Sequence, residues 1–599
     1  MEIRGSSLEA VHVFFRCRLK FRMNPFHPVS LGKMNRSRYL MVSVKAAFTA
    51  FALALLLVCA GYAQQPSQPE PITQAERLRG SITPDREWWD VQHYDLSVRF
   101  MPETRSIKGS NVITFKTLKP GSRMQIDLQM PLTITKVVHN GSELKFDRVM
   151  DNGKPGNVFY ITFDQEIPQG VEDKVEIFYE GRPTEAKLPP WSGGVYWGRD
   201  DLGNWYINTT CEGIGASIWW PNKDIGYDEP DRGMNINLTV PDDLVAVSNG
   251  RLKGVDTDAA NKTKTFHWVV VNPINNYGVN ANIGNYVNFT DKYEGLGGTL
   301  DLSYWVLPHQ KEAAMKTFQE VPRMLKAFEY WFGKYPFYED GYKLVTVSYP
   351  GMEHQSSVTY GNYFRNGYRE RDVSGTGVGY KFDFIIVHES AHEWWGNNIS
   401  CRDGADMWIH EGFANYAEGI FTEYWFGKKD AEDYIIGSRR NIGNDRPIIG
   451  TYGANREGSG DMYYKGGNLL HTIRQVVNDD EKWRSILQGL QKTFWQQTVT
   501  TKQIESYITE HAGIDLSKVF DEYLRTTNIP LLQYKVEGNK LTYQYSKVVP
   551  GFAMPLKVSI NGKEATLKPT ETLQTMEYPE AIKTVAIDPN FLVESAALK

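Results

Sequence analysis

The sequence is poor in cysteine. Only four cysteines occur among 599 residues, and two of them, Cys17 and Cys59, lie in a leader-like N-terminal segment. Cys211 and Cys401 are then the pair left to the mature chain, and a single pair excludes a disulfide-rich scaffold. We expect two buried free thiols, with one bridge between them as the alternative.

The sequence also lacks a second long apolar run and any basic cluster beyond the leader. No later segment holds the roughly 18 apolar residues that a membrane-spanning helix needs. The net charge is −5, and it becomes about −12 without the nine basic and two acidic residues of 1–63. We therefore expect no stable membrane span after leader removal and no nucleic-acid partner.

The first 63 residues have the order of a secretory signal. Basic residues precede an apolar run over 46–60, and Gly61-Tyr62-Ala63 supplies small residues at the cleavage-relevant positions. The sequence therefore predicts an exported protein, periplasmic or extracellular. Lipid anchoring through Cys59 is the less favoured alternative, because bulky Val58 precedes it where a small residue is expected.

At 599 residues, the chain is too long for one hydrophobic core. A Pro/Gln-rich stretch opens a linker over 64–86. Alternating apolar residues, as in 94–100, and turn pairs such as Asn140-Gly141 and Asn249-Gly250 predict an all-β domain over 87–303.

Helical spacing replaces alternation further along the chain. It begins with a predicted helix near 318–332 and continues over 381–396, 411–426, 463–478 and 515–524, so that a mostly helical domain covers 304–528. Alternation then returns, and it predicts a small β-sandwich over 529–599. The fold class is thus α+β with several domains.

A metal-binding pattern lies in the predicted helix 381–396. The segment His388-Glu389-Ser390-Ala391-His392 reads His-Glu-x-x-His, and a spacing of four brings both imidazoles to one helix face. Glu389 can then lean over the open coordination position as a general base. The pattern predicts one zinc ion per chain.

Zinc needs a third protein ligand if it is to keep a water molecule. A third histidine six residues after His392 would fall on Asn398, which excludes that pattern. Glu411, nineteen positions after His392 on a following helix, is the acidic alternative and the predicted third ligand. Glu418 lies on the same helical face, as either a partner of a zinc-bound histidine or a solvated side chain.

The surroundings of this core resemble the gluzincin family of aminopeptidase N and leukotriene epoxide hydrolase. His392-Glu-Trp-Trp-Gly-Asn397 is similar to the family's His-Gln-Trp-Phe-Gly-Asn, and Glu411-Gly-Phe-Ala is similar to its Asn-Glu-Gly-Phe-Ala. The resemblance implies a saddle-like N-terminal β domain and a thermolysin-like catalytic domain. It also implies a zinc aminopeptidase that acts on peptides with a free N-terminus.

Two further stretches imply how the substrate is held. Pro350-Gly351-Met352-Glu353-His354 resembles the family's Gly-Ala-Met-Glu-Asn motif but differs at its first and last positions. By this resemblance Glu353 binds the substrate α-amino group, with backbone contacts from Gly351 and Met352. Glu212, in Thr-Cys-Glu-Gly, matches a family position that gives the amine a second anchor.

A fourth stretch implies the group that stabilises the oxyanion. Met462-Tyr463-Tyr464-Lys-Gly is similar to the family's Tyr-x-Lys-Gly, whose tyrosine stabilises the tetrahedral oxyanion. This places the role on Tyr463, with Tyr464 as the alternative. A phenol donor aimed at developing negative charge suits acyl chemistry.

Three other functions stay open at this point. A gluzincin endopeptidase would share the zinc ligands and the base but lack the amine anchors. An epoxide hydrolase would need a particular lipid cavity, and a binding module with the same fold would be expected to have lost ligands or base.

Larger family members add a long helical domain after the third region. About 70 residues follow Pro530 here, so we expect an open cleft that admits longer peptides.

Overall fold

The computed structural model describes residues 71–598. The predicted leader lies outside the described residues. Within 71–598, no helix is both long enough and apolar enough to cross a membrane. From Ile72 onward the chain forms one compact unit.

The second half of the predicted linker 64–86 is folded. It forms α1 (Gln74–Gly80), whose N-cap Thr73 and Glu76 make a reciprocal capping box, and α2 (Pro84–Glu87). Arg86 is fully buried and pairs with Asp127, while Glu76 accepts hydrogen bonds from Arg456 at 2.7–2.9 Å. Composition alone predicts a linker here because the partners of these side chains lie far along the sequence.

The N-terminal region is all β, as predicted. Its strands are β1 (Trp89–Met101), β2 (Ser106–Thr117), β3 (Gly121–Asp127), β4 (Thr133–His139), β5 (Ser142–Glu143), β6 (Lys145–Asp151), β7 (Lys154–Ile167), β8 (Glu172–Gly181), β9 (Gly194–Arg199), β10 (Trp205–Thr210), β11 (Met234–Pro241), β12 (Val245–Val247), β13 (Arg251–Asp258), β14 (Thr263–Val270) and β15 (Asn282–Gly284).

These strands form three sheets over a shared core. An eight-stranded sheet has the order β13-β14-β11-β1-β2-β8-β4-β5, a four-stranded sheet the order β12-β15-β10-β9, and a three-stranded sheet the order β3-β7-β6. In β11 every second side chain is buried, so the alternation in the sequence arises because one face of the sheet packs on the core. Trp89, Trp219 and Trp220 fill that core.

The middle region begins with a mixed sheet, and helices make up most of the rest of it. Its strands are β16 (Val287–Gly295), β17 (Gly298–Val306), β18 (Tyr342–Thr346), β19 (Gly351–Met352), β20 (Val358–Tyr360), β21 (Ile399–Cys401) and β22 (Gln497–Val499). The first five form a sheet of order β16-β17-β18-β20-β19. The predicted boundary between 303 and 304 therefore falls inside β17, because β17 pairs both with β16 and with β18.

The described part of this region contains nine α-helices. They are α3 (Lys311–Thr317), α4 (Glu320–Phe332), α5 (Phe384–Ala391), α6 (Trp408–Phe426), α7 (Lys428–Ser438), α8 (Tyr464–Val477), α9 (Asp480–Thr493), α10 (Thr501–Ala512) and α11 (Ser517–Arg525). Pro322 lies in the first turn of α4, where the helix needs no N–H from it.

The C-terminal region consists of two small sheets, as predicted. Its strands are β23 (Leu531–Glu537), β24 (Lys540–Ser546), β25 (Leu556–Ile560), β26 (Lys563–Leu567), β27 (Gln574–Glu577), β28 (Val585–Ile587) and β29 (Glu594–Ala597). The sheet orders are β27-β24-β23-β29 and β26-β25-β28. Their buried face continues the catalytic core, and Tyr523 donates a hydrogen bond to the carbonyl of Leu592 at 2.6 Å.

Candidate metal centre

Helix α5 presents the first two ligand candidates. Asp383 caps its N-terminus by accepting hydrogen bonds from the backbone N–H groups of Ile385 and Ile386. The helix ends at Ala391, earlier than predicted, because the following N–H groups bond back to Ser390 and Ala391 in a tighter turn. His392 keeps helical dihedrals at the C-cap, so its imidazole still lies one turn beyond that of His388.

Glu411 comes from the first turn of the neighbouring helix α6. Its Oε2 lies 3.5 Å from Nε2 of His388 and 3.7 Å from Nε2 of His392. All three residues are at most 6% exposed, and Oε2 of Glu411 accepts no hydrogen bond. A buried carboxylate oxygen without a donor is costly unless a cation neutralises it.

Both imidazoles are held from behind by their Nδ1 atoms. Nδ1 of His388 lies 2.7 Å from Oε1 of Glu418, and Nδ1 of His392 lies 2.9 Å from the carbonyl oxygen of Trp395. These acceptors favour the tautomer that carries the proton on Nδ1 and leaves the Nε2 lone pair free to bind a metal.

Glu418 is itself fixed by two donors. Its Oε2 accepts a hydrogen bond from the hydroxyl of Tyr434 at 2.6 Å, and the amide of Asn415 donates to both carboxylate oxygens at 3.2–3.3 Å. Because the side chain is fully buried, the solvated alternative for Glu418 is wrong. It instead orients the His388 ring.

The three donor atoms fit a divalent metal ion. One Nε2 from each histidine and one carboxylate oxygen lie within 4.8 Å of one another. In tetrahedral zinc sites with bonds near 2.0–2.1 Å, neighbouring ligand atoms are about 3.4 Å apart, close to the spacing found here. His388, His392 and Glu411 would therefore hold the ion.

Glu389 lies beside this group, and Gly351 makes room for it. Strand β19 runs past α5 so closely that a Cβ on Gly351 would lie 2.6 Å from Cγ2 of Ile385 and 3.0 Å from Oε1 of Glu389. Met352 pairs with Thr359 of β20 and is buried. Glycine at 351 therefore lets a strand edge border the general-base candidate.

The two predicted amine anchors converge on the same place from different domains. Glu353 follows β19, and Glu212 follows β10 in the N-terminal domain. One carboxylate oxygen from each lies within 4.8 Å of a Glu411 oxygen. Oε1 of Glu353 is buried and has no hydrogen-bond partner, while its backbone carbonyl accepts from the amide of Asn397 at 2.9 Å.

The cleft is strongly acidic. Burial raises the pKa of Glu212 well above its ordinary value, and the carboxylate of Glu353 raises it further. Burial also raises the pKa of Glu353 and of Glu389. Burial raises the pKa of Glu411 too, but the adjacent imidazoles of His392 and His388 outweigh it and lower the value to about 2. Such a group of carboxylates requires cations to balance it.

Tyr463 lies nearer to the ligand group than Tyr464 does. Its ring is stacked on His388 with centroids 6.1 Å apart, and burial followed by the charge of Glu411 raises its pKa well above the ordinary value. Burial and the charge of Glu418 raise the pKa of Tyr464, so this tyrosine senses the carboxylate on the Nδ1 side of His388 and not the metal-ligand side. Both rings border the cleft.

The cleft has a volume of about 520 Å³ and is open to solvent on one side. It is lined by every predicted site residue and by residues from both domains, among them Pro190, Trp191, Gly213, Pro350, Tyr368, Val373, Phe384, Asn415, Glu418, Glu457, Met462 and Tyr464.

Several residues near the cleft carry no sequence motif. Tyr277 lies in a loop of the N-terminal domain, and its hydroxyl is 3.2 Å from Nδ1 of His410. Glu457 lies in the loop before Tyr463 and is partly buried. Because both lie in irregular segments, neither periodicity nor spacing could have identified them. Cys211 and Cys401 are buried free thiols, which confirms the expectation for this pair.

Two family patterns match the chain. The Peptidase family M1 domain matches residues 316–523, and the Peptidase M1 N-terminal domain matches residues 90–277. These ranges cover the helical region with the candidate ligands and the N-terminal β region with Glu212.

Individual relatives are distant in sequence. Leucyl aminopeptidase of Saccharolobus solfataricus is 22% identical over 525 residues, which are 84% of this chain and 62% of that protein. Aminopeptidase 2 of Candida albicans is 23% identical over 75% of this chain and 48% of its own length. The chain thus spans about half to two thirds of these curated relatives. Leukotriene A-4 hydrolase of Xenopus laevis is 21% identical, over 75% of this chain and 74% of its own.

A solved structure shares the fold. The M1 zinc metallopeptidase of Deinococcus radiodurans superposes with a TM-score of 0.63 at 21% identity, over 76% of this chain and 98% of that chain. The fold is therefore the one found in M1 peptidases, as the sequence resemblance implies. On its two matching domains, the chain belongs to the M1 family of peptidases.

Proposed function

We propose that this protein is a zinc-dependent aminopeptidase that releases N-terminal residues from peptides. The observation that carries the proposal is one cleft in which two imidazole Nε2 atoms, the Glu411 carboxylate and the Glu389 carboxylate meet beside Oε1 of Glu353, which has no hydrogen-bond partner. Relatives named as aminopeptidases support it, as does a related M1 structure bound to a Tyr-Ser-Ala substrate.

The residues divide the work between them. When bound, zinc supplies Lewis acidity, which polarises a carbonyl group and lowers the pKa of water. Glu389 takes the proton of the attacking water and delivers it to the leaving amine. Tyr463 donates a hydrogen bond to the oxyanion.

The amine anchors decide that only the first peptide bond reacts. An α-ammonium group between Glu353 and Glu212 gains charge-assisted hydrogen bonds and lowers the cost of burying both carboxylates. Since one oxygen of each lies within 4.8 Å of a Glu411 oxygen, a residue anchored there has its carbonyl beside the metal ligands. A longer N-terminal extension has no such anchor.

We also propose export from the cytoplasm, supported by the basic, apolar and small-residue order of 1–63. Cell fractionation of the natural producer, with N-terminal sequencing of the exported form, tests it. A mature chain that begins near Gln64 is expected, and a chain retained in the cytoplasm with an intact leader would contradict it.

Glu389→Gln should abolish proton transfer and leave the metal ligands intact. We expect zinc content to stay at one ion per chain, measured by elemental analysis, and kcat to fall by roughly 10²- to 10⁴-fold. His388→Ala is the matched comparison, because it should lose metal as well as turnover. Normal turnover in Glu389→Gln would refute its assignment as base.

Tyr463→Phe should remove the oxyanion donor. We expect kcat to fall on the order of 10² to 10³, since a lost donor of this kind typically costs that much. Tyr464→Phe removes the same hydroxyl group from the neighbouring ring, and we expect it to lower kcat by less than about tenfold. If Tyr464→Phe proved the more damaging change, the roles of the two tyrosines would be exchanged.

Cleavage should depend on a free amino group. Peptides with an acetylated N-terminus should be cut at background rates, measured by chromatography of the products against the free-amine peptide. Glu353→Gln should lower kcat/KM for free-amine peptides by roughly 10- to 100-fold, through the loss of a charged hydrogen bond. Equal cleavage of acetylated and free peptides would indicate an endopeptidase instead.

A further inference from the structure

A second, smaller cavity adjoins the cleft. It has a volume of about 100 Å³ and shares Glu212, Gly213 and Glu457 with the main cleft. Its remaining wall includes the uncharged side chains of Tyr277, Cys401, Met407 and His410, together with the charged side chains of Arg79, Asp224, Arg402 and Asp403. The cavity therefore begins beside the amine anchor and has room for a single side chain.

Glu457 stands where the two cavities meet. Its Oε1 would lie 3.5 Å from a Cβ on Gly213, so its carboxylate faces the loop that carries Glu212. The segment around it is tied down, because Asn455 donates to the carbonyl of Gly213 at 3.1 Å and Arg456 pairs with Glu76. The carboxylate is thus held in place by its backbone and not by its own contacts.

The carboxylate of Glu457 accepts no hydrogen bond and forms no ion pair among residues 71–598. The two aspartates of the small cavity already have partners. Asp224 pairs with Arg79 at 3.5 Å and accepts from Ser217, while Asp403 caps the turn that contains Ala405. The carboxylate of Glu457 is therefore free to accept hydrogen bonds from a cationic group in this cavity.

The amine anchor fixes where the first side chain must go. If the α-ammonium group lies between Glu212 and Glu353 and the carbonyl lies at the metal ligands, the Cα of the first residue lies beside Glu212. Its side chain then lies in the main cleft or enters the small cavity, which also borders Glu212. An aliphatic stem would contact the uncharged side chains of the wall, and a cationic head would meet Glu457.

Resting on the aminopeptidase function proposed above, we propose that the small cavity binds the side chain of the substrate's first residue and that Glu457 makes this cavity select lysine and arginine. Charge balance supports the selection. The joined cavities are lined by eight carboxylates, those of Glu212, Glu353, Glu389, Glu411, Glu418, Glu457, Asp224 and Asp403, whereas Arg79, Arg402, a zinc ion and one α-ammonium group supply five positive charges. A basic first residue adds a sixth positive charge at Glu457, the carboxylate that lacks a partner.

The test uses pairs of substrates that differ in charge but little in shape. The zinc-loaded full-length enzyme is assayed on fluorogenic amides of lysine against norleucine and of arginine against citrulline. We expect the wild-type enzyme to show kcat/KM values for the basic member roughly 10- to 100-fold above those for its neutral partner, the effect of one charged hydrogen bond.

Glu457→Gln keeps the size of the side chain and removes its charge. We expect both ratios, lysine to norleucine and arginine to citrulline, to fall to about one to three, the loss of that one charged contact. Glu564→Gln is the matched control, because Glu564 is exposed on β26 and distant in sequence from either cavity; its ratios should equal those of wild type. Thermal melting verifies that the two variants are folded alike.

The outcomes separate this inference from the proposed function. Hydrolysis of none of the amides by the zinc-loaded enzyme would overturn the aminopeptidase function, and this inference with it. Hydrolysis with ratios near one in wild type, or with ratios unchanged in Glu457→Gln, would overturn the role of Glu457 alone. A uniform loss on all four amides leaves the ratios unchanged and so also counts against it.

Discussion

The site depends on a carboxylate that cannot be satisfied by the protein alone. Glu411 is buried with an oxygen that accepts no hydrogen bond, 3.5 and 3.7 Å from two imidazole nitrogens. A cation between these atoms neutralises the Glu411 carboxylate and accepts the lone pairs of both imidazole Nε2 atoms. Without a cation, the buried carboxylate would keep its full desolvation cost. The surrounding structure serves to keep these three atoms converged.

Rigidity of the ligands comes from the atoms behind them. Glu418 and the carbonyl of Trp395 hold the two rings by their Nδ1 atoms, and Tyr434 and Asn415 hold Glu418 in turn. Close approach of β19 to α5, permitted by Gly351, sets the strand that leads to Glu353 against the helix that carries Glu389. Glu418, Tyr434, Asn415 and Gly351 therefore fix the geometry of the site, although their role is to position other side chains.

The cleft also depends on the contact between the two large domains. Glu212 comes from the β region, while Glu353 and Glu457 come from the catalytic region, and all three border the same space. Asn455 and Arg456 bridge to Gly213 and Glu76, which lie before the catalytic region in the chain. The segment 73–86, the second half of the predicted linker 64–86, is one side of this bridge.

The sequence by itself determined the order of β, helical and β regions, because alternation and helical spacing are local signals of which face is buried. It also brought His388 and His392 to one face of a helix, with Glu389 beside them, since that spacing is fixed by 3.6 residues per turn. Glu411, on the next helix, was predicted as the acidic alternative to a third histidine, and the tertiary structure brings it to the two imidazoles. Tertiary structure decided what spacing cannot encode. It decided that Glu418 is buried against His388, that Tyr463 and not Tyr464 is stacked on that ring, and that Glu457 borders Glu212. These residues are brought together by loops and domain packing, where the contacts are distant in sequence and leave no periodic pattern.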